Sequence, residues 1–474
     1  MARPYASQSD RGRRIEHAVV LGAGMAGLSA AAALAPQAQR VSVVERDPLP
    51  GIDRSRKGVP QGAHVHLLLP GGLRALDELL PGLQEDLRGA GAQLLDRAGD
   101  FRVNVGGGRL KLETLHPGFV LVGATRPLVE GVLRERVQAL DNVRVRPGLE
   151  VLGMRAATRA TAVTGVRLRS TADGSEETLS ADLVVDATGR GSRAPRWLEE
   201  LGYRAPHEER VHVDVRYTTR VFRRAGPGPG GGRNVMIAPL PGTRRGAVAL
   251  AVEGERWVVT LTGLLGEQAP RELEAFRAFA RSLWSPDVDA IASACEPWGE
   301  AVTGAYPANV RRRYDQLRRF PAGFVVIGDA LASFNPLSAQ GMSLAALEAL
   351  ALRTTVERFG AQRLGLAFFR SGRDLVDAAW SQAVDNDLKH PAVLGRRTLR
   401  WRLTYAYSRR LMRVARVDPL AAQALFDVMA LLAPAPSLLR PGMLRRVLLH
   451  GEAGREVPAL RRTATAGRGN GPEP

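Results

Sequence analysis

Residues 17–47 read HAVVLGAGMAGLSAAAALAPQAQRVSVVERD, and this stretch decides the fold. An apolar run ends at Leu21, a glycine-rich turn follows, a small-residue helix comes next, and a second apolar run stops at Glu45. That is the start of a βαβ unit. The turn is Gly22-Ala-Gly24-Met25-Ala26-Gly27. Gly22 permits the tight turn, Gly24 lets backbone approach a pyrophosphate, and Gly27 lets helix pack on strand. The helix N-terminus then faces the anion. Glu45 stands 23 residues after Gly22. Its carboxylate can accept from both ribose hydroxyls of an adenosine and repels a 2′-phosphate, so FAD or NAD is expected and NADP is not.

Outward from that unit, two more apolar strands end in glycine and aspartate. Residues 182–191 read DLVVDATGRG, and residues 324–342 read FVVIGDALASFNPLSAQGM. Between them, residues 209–262 alternate in strand fashion, with Val211, Val213, Val215, Tyr217, Thr219 and Val221 on one face. Residues 361–462 are helix-patterned and Arg-rich. The reading is an α/β chain: residues 1–15 a mobile arm; 16–205 and 300–360 a discontinuous dinucleotide-binding domain; 206–299 an inserted β-rich substrate domain, with part of 60–122 a candidate to join it; 361–462 a helical region; 463–474 a disordered tail.

Composition narrows the chemistry. The chain has 474 residues, a formal charge of +18 and one cysteine, Cys295. One cysteine excludes disulfide scaffolds, dithiol redox pairs and Cys-rich metal sites. His64 and His66 have no third ligand nearby, so no metal site is expected. No apolar run reaches the ~18 residues of a membrane span, and no signal peptide opens the chain, so a cytoplasmic protein is expected. Only three of the 66 basic residues are lysines, Lys57, Lys111 and Lys389, and the arginines are dispersed. Nucleic acid is therefore not the expected partner. An acidic acyl carrier protein makes better use of the charge. Residues 396–449 mix apolar and Arg positions at helical spacing, which suits a helical cap over the core, favoured, or a peripheral membrane contact.

The three glycine-bearing segments, in this order, resemble the FAD-dependent aromatic-hydroxylase and squalene-epoxidase class of flavoprotein monooxygenases. With RKGVPQGAHVHLLL (56–69), ATRPLVE (124–130) and DATGRGSRAPRWLEELGY (186–203), the resemblance narrows to bacterial flavin epoxidases of polyether ionophore biosynthesis. It implies a Rossmann-like FAD domain of the aromatic-hydroxylase type with an inserted sheet. It places Gly22, Gly24, Met25, Ala26, Gly27, Glu45 and Arg46 on the ADP half of FAD, with Arg126 also on FAD. Asp186 and Gly189 support FAD and the passage of NAD(P)H. Gly328, Asp329, Pro336, Gln340, Gly341 and Met342 meet the ribityl chain and ring. Arg56 and Lys57 meet a phosphate or line a gate, or form a solvated charge pair. Phe334, Asn335 and Pro336 are the catalytic candidates as a flavin-side pocket, with the apolar substrate pocket expected under the insertion among residues of 211–262. A helix N-terminus at the ring would stabilise reduced flavin.

The chemistry so implied is transfer of one O2 oxygen, from a flavin C4a-hydroperoxide, to an alkene of an apolar polyene or polyketide-like substrate. NAD(P)H serves as donor, directly or through a flavin reductase. Hydroxylation of an aromatic or terpenoid substrate, or reduction of a prenyl chain, are the alternatives on the same fold. The sequence departs from the class at two places. Leu331, Ala332 and Ser333 stand where a His is common, and Ala339 stands where the class has Gly, so a positive φ there would be strained.

Overall fold

The computed structural model describes residues 15–449 apart from 53, 55 and 57; the expected arm over 1–14 and tail over 463–474 lie outside the described residues. In chain order, β1 (Ile15–Leu21), α1 (Met25–Leu34) and β2 (Ala38–Val44) form the opening unit, and α2 (Arg126–Gln138) follows. Next come β3 (Leu183–Asp186), the long strands β4 (Glu208–Arg223) and β5 (Pro297–Arg312), and β6 (Phe324–Val326). The helices α3 (Gly341–Phe359), α4 (Arg373–Asp387) and α5 (Leu399–Val414) lie towards the C-terminal end.

The dinucleotide-type sheet is five-stranded and wholly parallel, in the order β6-β3-β1-β2 and then Val143–Arg146. Apart from the edge strand Val143–Arg146, its strands are largely apolar runs buried on both faces, as a helix-covered parallel sheet requires. Helix α1 is rich in Ala, so it lies close under the sheet and against α3, with Leu28, Ala31 and Leu34 fully buried. The first residue of the expected arm that is described, Ile15, is the first residue of β1.

A second sheet has eight strands, in the order Ala332–Ser333, β5, β4, Arg256–Gly263, Arg245–Val252, Asn234–Ile237, Phe101–Val105 and Gly108–Arg109. This moves one boundary and identifies which part of 60–122 joins the sheet. Residues 297–312 belong to this sheet and not to the dinucleotide domain, because β5 pairs with β4 along most of its length. Residues 101–109 also join it, through parallel pairing of Phe101–Val105 with Asn234–Ile237. The simple alternation expected in 211–222 is broken by a bulge between His212 and Val215. Beyond it both faces are covered: Tyr217 and Thr219 point one way, and Phe222 packs on Phe276 of the helix Leu273–Arg281 the other.

Helix α5 buries Leu411 and Val414 in its C-terminal half, whereas Leu399 and Leu403 in its N-terminal half are 72% and 64% exposed. Among the described residues no helix is long and apolar enough to cross a membrane.

Candidate flavin site

Three glycines lock the three motifs together. A Cβ on Gly27 would lie 1.8 Å from the Gly22 carbonyl oxygen, one on Gly22 would lie 2.7 Å from the Ala187 carbonyl oxygen, and one on Gly328 would lie 2.6 Å from the Ala26 Cβ. The first turn therefore touches both the DATGRG and the GDA turns. Met25 is buried beneath it.

Glu45 follows β2 directly. Its Oε2 accepts the Ala23 N–H at 2.9 Å and Arg56 Nη1 at 2.5 Å, and its Oε1 accepts the Asp47 N–H at 3.0 Å. A carboxylate oxygen takes about two bonds. Oε2 is filled, so Glu45 keeps capacity for one ribose hydroxyl, not two. Arg56 also bonds Glu130 Oε1 at 2.7 Å and lies 3.2 Å from the Cβ position of Gly24. It thus neutralises two buried carboxylates at the edge of the anion-binding turn and offsets the repulsion Glu45 alone would offer a 2′-phosphate. Arg46 points to solvent, its side chain 63% exposed beside Asp47, and makes no contact with the turn. Lys57 lies outside the described residues.

Asp186 is fully buried and spent on its own turn. Oδ1 accepts the Thr188 N–H and hydroxyl at 2.9 and 2.6 Å, and Oδ2 accepts the Ser192 hydroxyl at 2.5 Å. It shapes the turn that places Gly189, φ +76°.

Asp329 differs. Among the described residues its carboxylate has no hydrogen-bond partner, and it lies beside the N-terminus of α3, 3.9 Å from the Cβ position of Gly341. Burial pushes its carboxyl above the usual carboxylate range, against the pull of Arg126 and Arg190. Next to it Gln340 is 1% exposed with neither amide atom partnered. A buried amide left so costs ~1–3 kcal/mol. Glu348 on α3 holds the Gly328 N–H at 2.6 Å, and burial raises its carboxyl to about 7. Ala339 has φ +52°, the left-handed region that its alignment with a glycine position anticipated.

Arg126 opens α2 and is held by Glu130, whose Oε2 lies 3.4 Å from its Nε, and by His66. The His66 ring nitrogen Nδ1 lies 3.1 Å from the His64 carbonyl oxygen and donates to it, so Nε2 accepts from Arg126 Nη1 at 3.3 Å. Burial first, then Arg126, lowers His66 to about 3, so the ring is neutral, as acceptance from an arginine needs. His64 is lowered by burial to about 4; it bonds the Thr219 hydroxyl at 2.7 Å and meets the Tyr217 ring edge-on at 4.5 Å. Arg190 lies 5.1 Å over the Tyr306 ring, and Tyr306 donates to the Ser333 hydroxyl at 3.0 Å. Tyr306 and Arg190 carried no signal in the sequence, while His66 was read there only as a metal-ligand candidate and Tyr217 only as one face of a strand.

Phe334 and Asn335 do not line an open pocket. Phe334 is buried 6.4 Å from Trp380, and the Asn335 side chain is consumed by bonds within the protein. Phenylalanine joins the apolar core and the amide cannot remain unpaired, so the burial follows from both side chains. Pro336 is exposed, and Met342 is buried behind it.

The orphaned Gln340 amide, the unpartnered Asp329 carboxylate and the glycine cradle at Gly22–Gly27 fit a long ligand with an anionic centre and hydrogen-bonding ends. FAD has that form: the turn and α1 N-terminus suit its pyrophosphate, Glu45 its ribose, and Asp329, Gln340 and Arg126 its flavin half.

The profile of the FAD dependent oxidoreductase family matches residues 18–223. The chain belongs to that family. It is 38% identical over 351 residues to Protein Rv3254 of Mycobacterium tuberculosis, covering 72% of this chain and 73% of that protein. It is 36% identical over 186 residues, 37% of each chain, to the kynurenine 3-monooxygenase of Salinispora arenicola. The p-nitrophenol 4-monooxygenase PnpA of Pseudomonas putida shares the fold, with TM-score 0.60 at 19% identity over 89% of this chain and 99% of that one.

Proposed function

We propose that this protein is an FAD-dependent monooxygenase that epoxidises an alkene of an apolar, polyene- or polyketide-like substrate. The balance is alkene, O2, NAD(P)H and a proton giving epoxide, water and NAD(P)+. The observation that carries the flavin reading is that, at the start of α3, the Asp329 carboxylate and the buried Gln340 amide are both left without hydrogen-bond partners among the described residues. FAD supplies the activation of O2 when bound and reduced. The chain's part is to bind it, orient it and keep water from it. Arg126, fixed by neutral His66, supplies a permanent cation beside Asp329. The Tyr217 and Tyr306 rings supply an apolar floor from the large sheet. Support for oxygen transfer comes from the monooxygenase relative, and support for an alkene from the resemblance of the RKGVPQ and SFNP segments to flavin epoxidases.

A second reading has its own support. The identity to a kynurenine 3-monooxygenase favours hydroxylation of an aromatic ring. One experiment separates them. The purified protein is incubated with NADPH, 18O2 and, in turn, a polyene and kynurenine. One 18O atom in an epoxide supports the first reading, and one in a phenol supports the second. A protein that purifies without flavin and takes up none overturns both. A flavoprotein that consumes NADPH and saturates the alkene without incorporating oxygen shows a reductase.

A further inference from the structure

One buried carboxylate far from the glycine turns holds the segment that leads into α3. Asp387, the last residue of α4, is 4% exposed. Its Oδ2 accepts Asn309 Nδ2 at 2.6 Å, and its Oδ1 accepts Asn335 Nδ2 at 2.7 Å. Asn309, on β5 and fully buried, accepts the Asn335 backbone N–H through Oδ1 at 2.5 Å. Asn335 in turn accepts the Leu337 N–H through Oδ1 at 3.0 Å, which starts the turn Pro336–Ser338. The network is closed: two amides aim their NH2 groups at one carboxylate, and both amide oxygens fix backbone. It ties the large sheet, α4 and the approach to Ala339 and Gln340 into one unit.

We propose that Asp387 is a positioning residue for the flavin reaction: through Asn335 it holds the Pro336–Gln340 segment, and with it the start of α3, against the cofactor. The inference rests on the flavin reading given above. The geometry favours the ionised carboxylate, because each oxygen faces an N–H donor and a proton on either would weaken the bond that oxygen accepts. The titratable groups about it are Asp385, Lys389 and His390 on its own segment and Tyr306 on β5. Burial raises the Asp387 carboxyl to about 6, opposed by the two asparagines and by Lys389. Lys389 is lowered by burial to about 8 and stays cationic across the range in which Asp387 titrates.

The test uses the full chain with Asp387→Asn, and Asn335→Ser as a second variant that leaves the carboxylate in place. In the apoprotein, hydrogen exchange of a peptide spanning 331–342 should quicken at least tenfold in each variant, while peptides from β1 and α1 keep their rates. In the holoprotein, the visible flavin band should shift, and the rate at which O2 reoxidises reduced flavin should lose its dependence on pH around 6. Asp387→Glu should restore part of both. Unchanged exchange in 331–342 and an unchanged flavin band in two folded variants would overturn the proposal. If Asp387→Asn does not fold, Asn335→Ser decides it on the same readouts. A wild-type chain that takes up no flavin would instead defeat the flavin reading, and the apoprotein exchange would still report on the clamp.

Discussion

Arg56 donates to Glu45 at 2.5 Å with both side chains nearly closed to water, and this contact is the charge balance of the nucleotide turn. Removing the guanidinium leaves Glu45 buried without its ion-pair partner, while Glu130 keeps Arg126, whose Nε lies 3.4 Å from its Oε2. Breaking a buried pair from one side costs ~3–5 kcal/mol. Arg56→Leu should lower stability by about that amount in urea titrations. Arg56→Lys should recover only part, because an ammonium cannot span both carboxylates as the planar fork does.

Gly27→Ala should abolish the folded holoprotein, since its Cβ has only 1.8 Å to the Gly22 oxygen. Gly191→Ala, where the Cβ meets open space and φ is not positive, should keep it. The ratio of absorbance at 450 nm to that at 280 nm in purified protein distinguishes them.

Ala339→Gly should raise the melting temperature slightly. Left-handed backbone costs a non-glycine residue ~1–2 kcal/mol, and the added freedom of the unfolded chain returns ~0.4–1 of it. A β-branched residue is worse still at this φ, so Ala339→Val should destabilise. Scanning calorimetry of the three proteins gives the order Gly, Ala, Val.

Glu348 predicts a pH effect. Its folded carboxyl titrates near 7 and its unfolded one near the ordinary value, so folding holds the proton more tightly. The stability it contributes is whole below the unfolded value, falls as pH rises towards 7, and is constant beyond. At 1.36 kcal/mol per unit this is roughly 3–4 kcal/mol. Glu348→Gln keeps an acceptor for the Gly328 N–H and should gain stability at pH 8 but not at pH 4. Urea midpoints at the two pH values check the sign.

Arg126→Met should weaken FAD binding by roughly 10–100-fold, the worth of one charge-assisted bond at ~1.5–3 kcal/mol. Quenching of flavin fluorescence on titration into apoprotein measures it. The far-ultraviolet circular dichroism should not change.

Most of the nucleotide half was legible from residues 17–47 because each glycine there answers a local steric demand and Glu45 has a fixed distance from it. The second sheet was legible only in part. Phe101–Val105 joins it in parallel beside a strand more than a hundred residues later, and nothing local announces such a partner. The same limit explains Phe334 and Asn335. Their position next to Pro336 pointed to the flavin, but their side chains answer to Trp380 and Asp387, which come from a different helix. His66 was weighed as a metal ligand because spacing was the only sign available; the contact that gives it a role, with Arg126, spans 60 residues.

The strand order of the parallel sheet has a consequence for synthesis. β1 sits in the middle and is made first, but its neighbour β3 waits for β6, some 140 residues later, to cover its outer edge. Asp329 and Gln340 are made only then. While the ribosome is still adding the intervening sheet, the nascent chain carries an apolar strand with an open edge and has only one wall of its cofactor cleft. The flavin half of the cleft is completed last, and chains cut short before residue 341 should aggregate rather than survive as smaller flavoproteins.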